Sequence, residues 1–181
     1  PLIGLGFSIW TAMGVSGLVY ILVQGDFSLR ILVQTMVSGI DSDTLVAIPF
    51  FIFVGKLMDR SGITRRLAEF SDFFVGRFRG GLAYVSIVVS FIMAGVSGSA
   101  VADASSVSAA LRPLMRERGY DDEFSAAINS SSAVIGPIFP PSIPMIFISV
   151  ISGLTLGKLF LGGVVPGTMM AIFLTVLVGV T

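Results

Sequence analysis

The sequence predicts an all-α integral membrane protein, a polytopic helical bundle that carries a re-entrant helical hairpin and a discontinuous helix. Three observations lead there. The 181 residues are 54% hydrophobic and only 12% charged, with a mean hydropathy of +0.96, whereas soluble domains carry about 25% charged residues. Arginines flank both sides of Gly80–Leu111, a segment of the wrong length for one membrane crossing or for two. Four of the eight prolines (Pro137, Pro140, Pro141 and Pro144) fall within GPIFPPSIP at 136–144, inside an otherwise apolar run.

Composition also excludes function classes. Eleven basic and eleven acidic residues cancel, which removes any general electrostatic case for nucleic acid. No Cys means no disulfide and no thiolate metal site. No His means no imidazole ligand or base, so most hydrolase and metalloenzyme mechanisms lose their usual parts. Phe (15) outnumbers Tyr (3) and Trp (1), which suits lipid-facing and helix-packing surfaces. No basic n-region and small-residue cleavage site mark a signal peptide at the start. Apolar runs near both ends lead us to expect a portion of a longer polytopic protein, organised over 1–181 as one membrane unit without linkers.

The elements follow in order. Leu2–Val23 is uncharged and long enough to span a hydrocarbon core of about 30 Å. Gly4, Gly6, Gly14 and Gly17 would let neighbouring helices approach closely. A polar connection with Asp26, Arg30, Asp41 and Asp43 encloses SLRILVQTMVSGI, which reads as a short interfacial amphipathic piece. A second span, Thr44–Met58, contains Pro49 and is short enough to need extension into its flanks. Asp59–Arg79 sets Arg60, Arg65, Arg66, Arg77 and Arg79 among Leu67, Phe70, Phe73 and Phe74. That pattern predicts an amphipathic helix on the cytoplasmic surface, the plainer alternative being a soluble loop helix.

Gly80–Leu111 carries Arg77 and Arg79 before it and Arg112, Arg116 and Arg118 after it, so both flanks prefer the same side. It is about 32 residues long, whereas two full crossings need roughly 40 and a turn. A hairpin entering from the cytoplasm and turning near the midplane satisfies both constraints. Ala94-Gly95-Val96-Ser97-Gly98-Ser99-Ala100 supplies the small, turn-forming residues of a tight tip. Arms of about 15 residues reach about 22 Å.

After MRERGYDDEF a helix is expected from Asp122–Phe124 through Asn129-Ser130-Ser131-Ser132 to a break at Gly136, resuming over Ile143–Ile151. Proline lacks the backbone N–H and clashes with the preceding turn, so no continuous helix survives GPIFPPSIP. A turn at Ser152–Lys158 precedes a last run, Leu159–Val180, expected to be interrupted at Pro166-Gly167.

The tip and the break each leave helix-end N–H and C=O groups without helical partners. Half-helix N-termini attract anions, and freed carbonyls suit a small cation. Ser97, Ser99, Ser130–Ser132 and Ser142 add neutral oxygens, which an alkali ion accepts without a carboxylate cluster. Taken together these features favour an ion or substrate site over simple packing and kinking. Asp103, deep in the hairpin, could ligate an ion, but capping and tip shaping is the favoured role. Asn129 could line the site or form an interhelical hydrogen bond. Lys56 and Lys158 are expected to snorkel.

At these residues a family resemblance appears. AIPFFIFVGKLMDRSGITRRL (47–67), RGGLAYVSIVVSFIMAGVSGSAVADA (79–104), RERGYDDEFSAAINSSSAVIGPIFPPSIPMI (116–146) and GKLFLGGVVPG (157–167) strongly resemble the large permease subunit of TRAP transporters, the DctM family. The combination of GVSGSAVADA with GPIFPPSIP is the most specific part; 1–43 is the weakest.

The resemblance implies a multi-pass permease of the bacterial cell inner membrane, not an enzyme, whose residues here form the first inverted repeat of an elevator-type ion transporter fold. Such a permease imports organic acids (dicarboxylates, sialic acid or similar carboxylates) with sodium as the coupling ion. It works with a small membrane subunit of DctQ type and a periplasmic substrate-binding protein of DctP type. Residues 1–79 would give scaffold-like spans and the surface helix, 80–115 the re-entrant hairpin, 122–152 the broken helix and 157–181 the following span.

Carried onto this chain, sodium would lie by Ser97, Gly98, Ser99, Gly136, Pro137 and Pro140. Substrate would lie by Ser99, Ala100, Ser132, Pro141 and Ser142. No other metal and no cofactor is expected. The family's permease is more than twice as long, so a second hairpin, a second broken helix and the other half of the site lie elsewhere. The alternatives are an ion-coupled transporter of the same architecture with another substrate, or a channel or membrane-enzyme subunit. The last of these would have only Ser with Lys56 or Lys158 for chemistry.

Overall fold

The computed structural model describes Gly4, residues 6–24 and residues 29–180. Among the described residues there are nine helices and no strand: α1 (Ile9–Gln24), α2 (Leu29–Ile40), α3 (Asp43–Ser61), α4 (Ile63–Val75), α5 (Gly81–Ser97), α6 (Ala100–Glu117), α7 (Asp122–Ala133), α8 (Ile143–Ser152) and α9 (Leu156–Val180). Contacts divide the chain into two compact units, 1–42 and 43–181.

The first unit holds α1 and α2. Of the expected span Leu2–Val23, the helical part begins at Ile9; Leu2 and the connecting Asp26 lie outside the described residues. Trp10, Met13, Leu18, Tyr20 and Leu22 are all exposed on α1. A helix with this many exposed apolar side chains is shaped for lipid or for another helix. Of the stretch SLRILVQTMVSGI, LRILVQTMVSGI does form a helix, α2, and Ser28 lies outside the described residues.

In the second unit α5 is the central rod. Leu82, Ala83, Val85, Val89 and Met93 are inaccessible or nearly so, and meet Val107, Leu111 and Met115 of α6, Ile128 of α7, Ala68 of α4 and Val178 of α9. Among the described residues only α9 is by itself long and apolar enough to cross a membrane, while Ile9–Val23, Gly81–Ser97 and Ile143–Ser152 are apolar but shorter.

Local chemistry sets the boundaries. The second span extends into its flanks, as its length demands, to become the 19-residue α3, which runs through Pro49. The stretch 59–79 is not one helix. Gly62 takes a left-handed conformation (φ 71°) and separates α3 from α4, and α4 ends at Val75. Asp121 caps α7 by accepting from the Glu123 and Phe124 amides at 3.1 and 3.4 Å, which satisfies two donors that the first turn leaves open. Arg118, at the end of α6, grips Asp72 of α4 with two N–H groups at 3.1 and 2.7 Å. This hydrogen bond, chiefly, holds the guanidinium above its ordinary pKa, with partial desolvation opposing it.

α9 departs from the sequence expectation. It is continuous through Pro166 rather than interrupted there. Proline removes the bond to the carbonyl four residues back, that of Gly162, yet α9 runs on past this one missing bond. Thr168 lies in the same turn and donates to the Val164 and Val165 carbonyls, both at 2.8 Å.

Candidate functional site

The hairpin is built as its sequence requires. α5 ends at Ser97, Gly98 turns the chain in the left-handed region (φ 58°), and Ser99 caps α6 by accepting from the Ala102 amide at 3.4 Å. Ser99, not Asp103, is the N-cap. Asp103 sits in the first turn of α6, fully buried, where a carboxylate is favoured by the helix dipole. Its Oδ1 accepts from the Ser97 hydroxyl at 2.5 Å, and the Ser97 oxygen in turn accepts from the Ser99 amide at 3.2 Å. The carboxylate thereby ties the end of one arm to the start of the other, which shapes the tip.

The helix break is equally definite. α7 ends at Ala133, and the chain passes through tight turns closed by Gly136 N–H to Ala133 O (3.1 Å) and Ile138 N–H to Ile135 O (3.0 Å). The Pro140–Pro141 peptide is cis. Ser142 restarts the helix. Its hydroxyl donates to the Pro137 carbonyl at 2.5 Å and accepts from the Met145 amide at 3.4 Å, while Pro144 occupies the first turn, where its missing N–H is harmless.

These two segments touch, backbone against backbone. A Cβ placed on Gly98 would lie 2.8 Å from the Pro141 carbonyl oxygen, 3.0 Å from the Ile143 nitrogen and 3.1 Å from Ser142 Cα. A Cβ on Gly136 would lie 2.6 Å from Asp103 Oδ2 and 3.4 Å from the Ser99 carbonyl carbon. At Gly98, which has a positive φ and backbone neighbours, only glycine allows this approach, whereas at Gly136 the near neighbour is the end of the Asp103 side chain. Four helix ends therefore meet: the C-termini of α5 and α7, and the N-termini of α6 and α8.

Of the sequence-predicted residues, Ser97, Gly98, Ser99, Gly136, Pro141 and Ser142 come together at this junction. Pro137 is tied to it through Ser142. Pro140 and Ala100, both half-buried, belong to the two segments that meet. Ser132 does not join them. It is buried in the α5–α7 seam, where its oxygen lies 3.0 Å from Ser90 Oγ and 3.2 Å from Ser86 Oγ, and Ser86 also donates to Asn129 Oδ1 at 2.6 Å. Asn129 thus takes part in an interhelical hydrogen bond. Ser130 and Ser131 are exposed on the outer side of α7.

The sequence reading passed over Ser86 and Ser90. Their spacing, i and i+4 on an otherwise apolar helix, and their alignment with Ser97 seven residues on, is the signal that marks one polar stripe. It also passed over Gly55 on α3, whose position faces Ser97 at 3.8 Å. Gly163 and Gly167 were missed as well. Cβ atoms on these two α9 glycines would meet the Ile138 carbonyl (2.5 Å) and Phe139 (3.0 Å), so α9 backs directly onto the break.

Among the described residues no group of three or more His, Cys, Asp or Glu is placed to hold a metal ion. The junction instead gathers carbonyls, serine hydroxyls and one carboxylate. These hard oxygen donors fit a hard cation, while the two helix N-termini fit an anion.

The family profile described as "Tripartite ATP-independent periplasmic transporter, DctM component" matches residues 2–181. A putative TRAP transporter large permease protein of Haemophilus influenzae is 43% identical over 96% of this chain and 41% of its own length. The 2,3-diketo-L-gulonate TRAP transporter large permease protein YiaN of Escherichia coli is 42% identical over 93% of this chain and 40% of its own. The sialic acid TRAP transporter large permease protein SiaM of Vibrio cholerae is 38% identical over 88% and 38%. The chain thus spans about two fifths of the curated relatives it matches. A helical chain with this junction, matched along nearly all its length at this identity, belongs to the DctM family of TRAP transporter large permease proteins, which are membrane proteins.

Proposed function

We propose that the chain forms the first repeat of a multi-pass permease of the bacterial inner membrane that imports an organic acid together with sodium. In this reading it works with a small membrane subunit and receives its cargo from a periplasmic binding protein. The observation that carries the reading is the contact of Gly98 with Pro141–Ile143, which brings four helix ends and a set of neutral oxygens to one point. Relatives named for 2,3-diketo-L-gulonate, sialic acid and C4-dicarboxylate support a carboxylate cargo.

Sodium would be held by the oxygens of Ser97, Gly98, Ser99, Gly136, Pro137 and Pro140, and would supply a positive charge between the tip and the break. The substrate carboxylate would meet the positive ends of α6 and α8 at Ser99, Ala100, Pro141 and Ser142. Ser132, engaged in the α5–α7 seam, is left out of this lining. Residues 80–115, re-entrant from the cytoplasm, and the broken helix would move together across the membrane against a scaffold to which 1–79 contribute.

The test is uptake by proteoliposomes containing the full-length permease and its small subunit. Candidate acids are offered with their binding protein, with and without an inward sodium gradient. Uptake that needs both the binding protein and the gradient is expected. Uptake indifferent to sodium, or equal without the binding protein, would overturn the proposal.

A further inference from the structure

α4 has three faces, and one of them is covered by nothing in its own unit. At about 100° per residue, Thr64, Ala68, Ser71 and Val75 share the face that packs on the core. Arg65, Glu69 and Asp72 share a polar face. Between these lies a third, made of Ile63, Arg66, Phe70, Phe73 and Phe74, and the chain continues past it through Arg77, Phe78 and Arg79. The rings stand well out of the fold: Phe70 is 61% exposed, Phe73 76% and Phe78 60%. They also cluster, with Phe70–Phe74 centroids 5.0 Å apart and Phe73–Phe74 centroids 5.3 Å apart.

The charges of α4 are sorted as well. Glu69 is engaged by Arg65 at 3.1 Å and Asp72 by Arg118 at 2.7 Å. Both carboxylates of the helix are thus on the polar face and compensated. Arg66, Arg77 and Arg79 are exposed and border the aromatic stripe. Arg77 Nε makes only a long contact, 3.4 Å, to the Phe74 carbonyl.

We infer that this aromatic and arginine face of α4 seats on anionic phospholipid of the membrane surface. The phenyl rings would sit at the acyl boundary, and Arg66, Arg77 and Arg79 would bind lipid phosphates. The charge complementarity is specific. A guanidinium pairs with phosphate through two parallel N–H bonds, and basic residues beside a membrane favour its anionic lipids. A second copy of the face would bring like charges together. The inference needs the membrane setting that family membership supplies and is independent of cargo and sodium.

The test uses the full-length permease in vesicles, with Phe73→Trp as the reporter; the signal is the difference in indole emission between variant and parent. Dibrominated phosphatidylglycerol is compared with dibrominated phosphatidylcholine at equal mole fraction, and acrylamide reports exposure to water. The expected result is quenching by both lipids, severalfold stronger for phosphatidylglycerol. About fivefold enrichment is expected for each guanidinium that reaches a headgroup. The triple change Arg66→Gln, Arg77→Gln and Arg79→Gln should equalise the two lipids at an unchanged melting temperature. Phe70→Trp is the second reporter if Phe73→Trp does not accumulate. Equal quenching in the parent arginine background would overturn the anionic preference. Quenching by acrylamide but by neither lipid would show a water-facing surface. Protection from all three quenchers would show a protein partner there instead. Either of the last two outcomes overturns the inference.

Discussion

Gly98→Ala tests the junction most directly. The new methyl group would have to sit at φ 58°, where an L-residue costs about 1–2 kcal/mol. It would also lie 2.8 Å from the Pro141 oxygen and 3.0 Å from the Ile143 nitrogen. Those neighbours are backbone atoms held by the Ser142 cap and cannot swing away, so overpacking adds about 1–3 kcal/mol. Loss of unfolded-state freedom returns about 0.4–1 kcal/mol, which leaves a net loss of about 1–4.6 kcal/mol. If sodium stabilises the closed junction, that loss comes out of its binding. The sodium concentration for half-maximal uptake should then rise by about fivefold or more. The measurement is sodium-dependent uptake by the full-length permease, alongside its melting temperature in detergent. Gly95→Ala is the control. It lies in the same helix with nothing within 4 Å of its added Cβ, and should be neutral or slightly stabilising. Gly98→Asn separates the two costs, because Asn tolerates the left-handed region yet still carries a Cβ. If Gly98→Ala matched the parent in both melting temperature and sodium titration, the backbone-to-backbone junction would be refuted.

Four further outcomes are expected. Ser86→Ala leaves Asn129 Oδ1 without its 2.6 Å donor and should cost about 1 kcal/mol of melting stability; a double-mutant cycle with Asn129→Ala should give a coupling of about 0.5–2 kcal/mol. Gly163→Leu should push α9 off the break, since even a Cβ would meet the Ile138 carbonyl at 2.5 Å, and lost expression or a drop of several degrees on melting checks it. Ser97→Ala removes the hydroxyl that Asp103 accepts, loosening the tip by about 1–3 kcal/mol, to be read as a weakened sodium response with the fold retained. Arg118→Ala breaks a half-exposed pair with Asp72, worth about 0–1 kcal/mol and less at high salt. Because the Arg118 pKa is raised in the fold, its contribution is full below the ordinary arginine value and fades only above that, so melting across neutral pH should show no loss from this partner.

What was legible in the sequence is what backbone chemistry decides locally. Gly98 between two serines gave the turn, Asp122–Phe124 gave the start of α7, and the clustered prolines gave the break. In each case a missing Cβ, a missing N–H or a capping oxygen acts within a few residues. Most of the misses are non-local. Pro166 looked like a breaker because of the dipeptide it forms with Gly167, yet α9 runs through it. Ser132 looked like part of the site because it stands in a serine run. Its direction is fixed by Ser86 and Ser90, more than forty residues away. The kink at Gly62 was hidden because arginine and phenylalanine periodicity continues across it. The sorting of the α4 charges could not be read either, since the partner of Asp72 is Arg118 on another element.

The close approach of the tip to the break has an evolutionary consequence. Where peptide groups meet directly, as Gly98 meets Pro141–Ile143, there is no side chain that substitution could trim, lengthen or recharge. Gradual change at Gly98 is blocked, because the smallest step, one methyl group, already overlaps backbone atoms. Such a joint is inherited whole or lost, and diversification of the protein has to proceed on the surfaces around it.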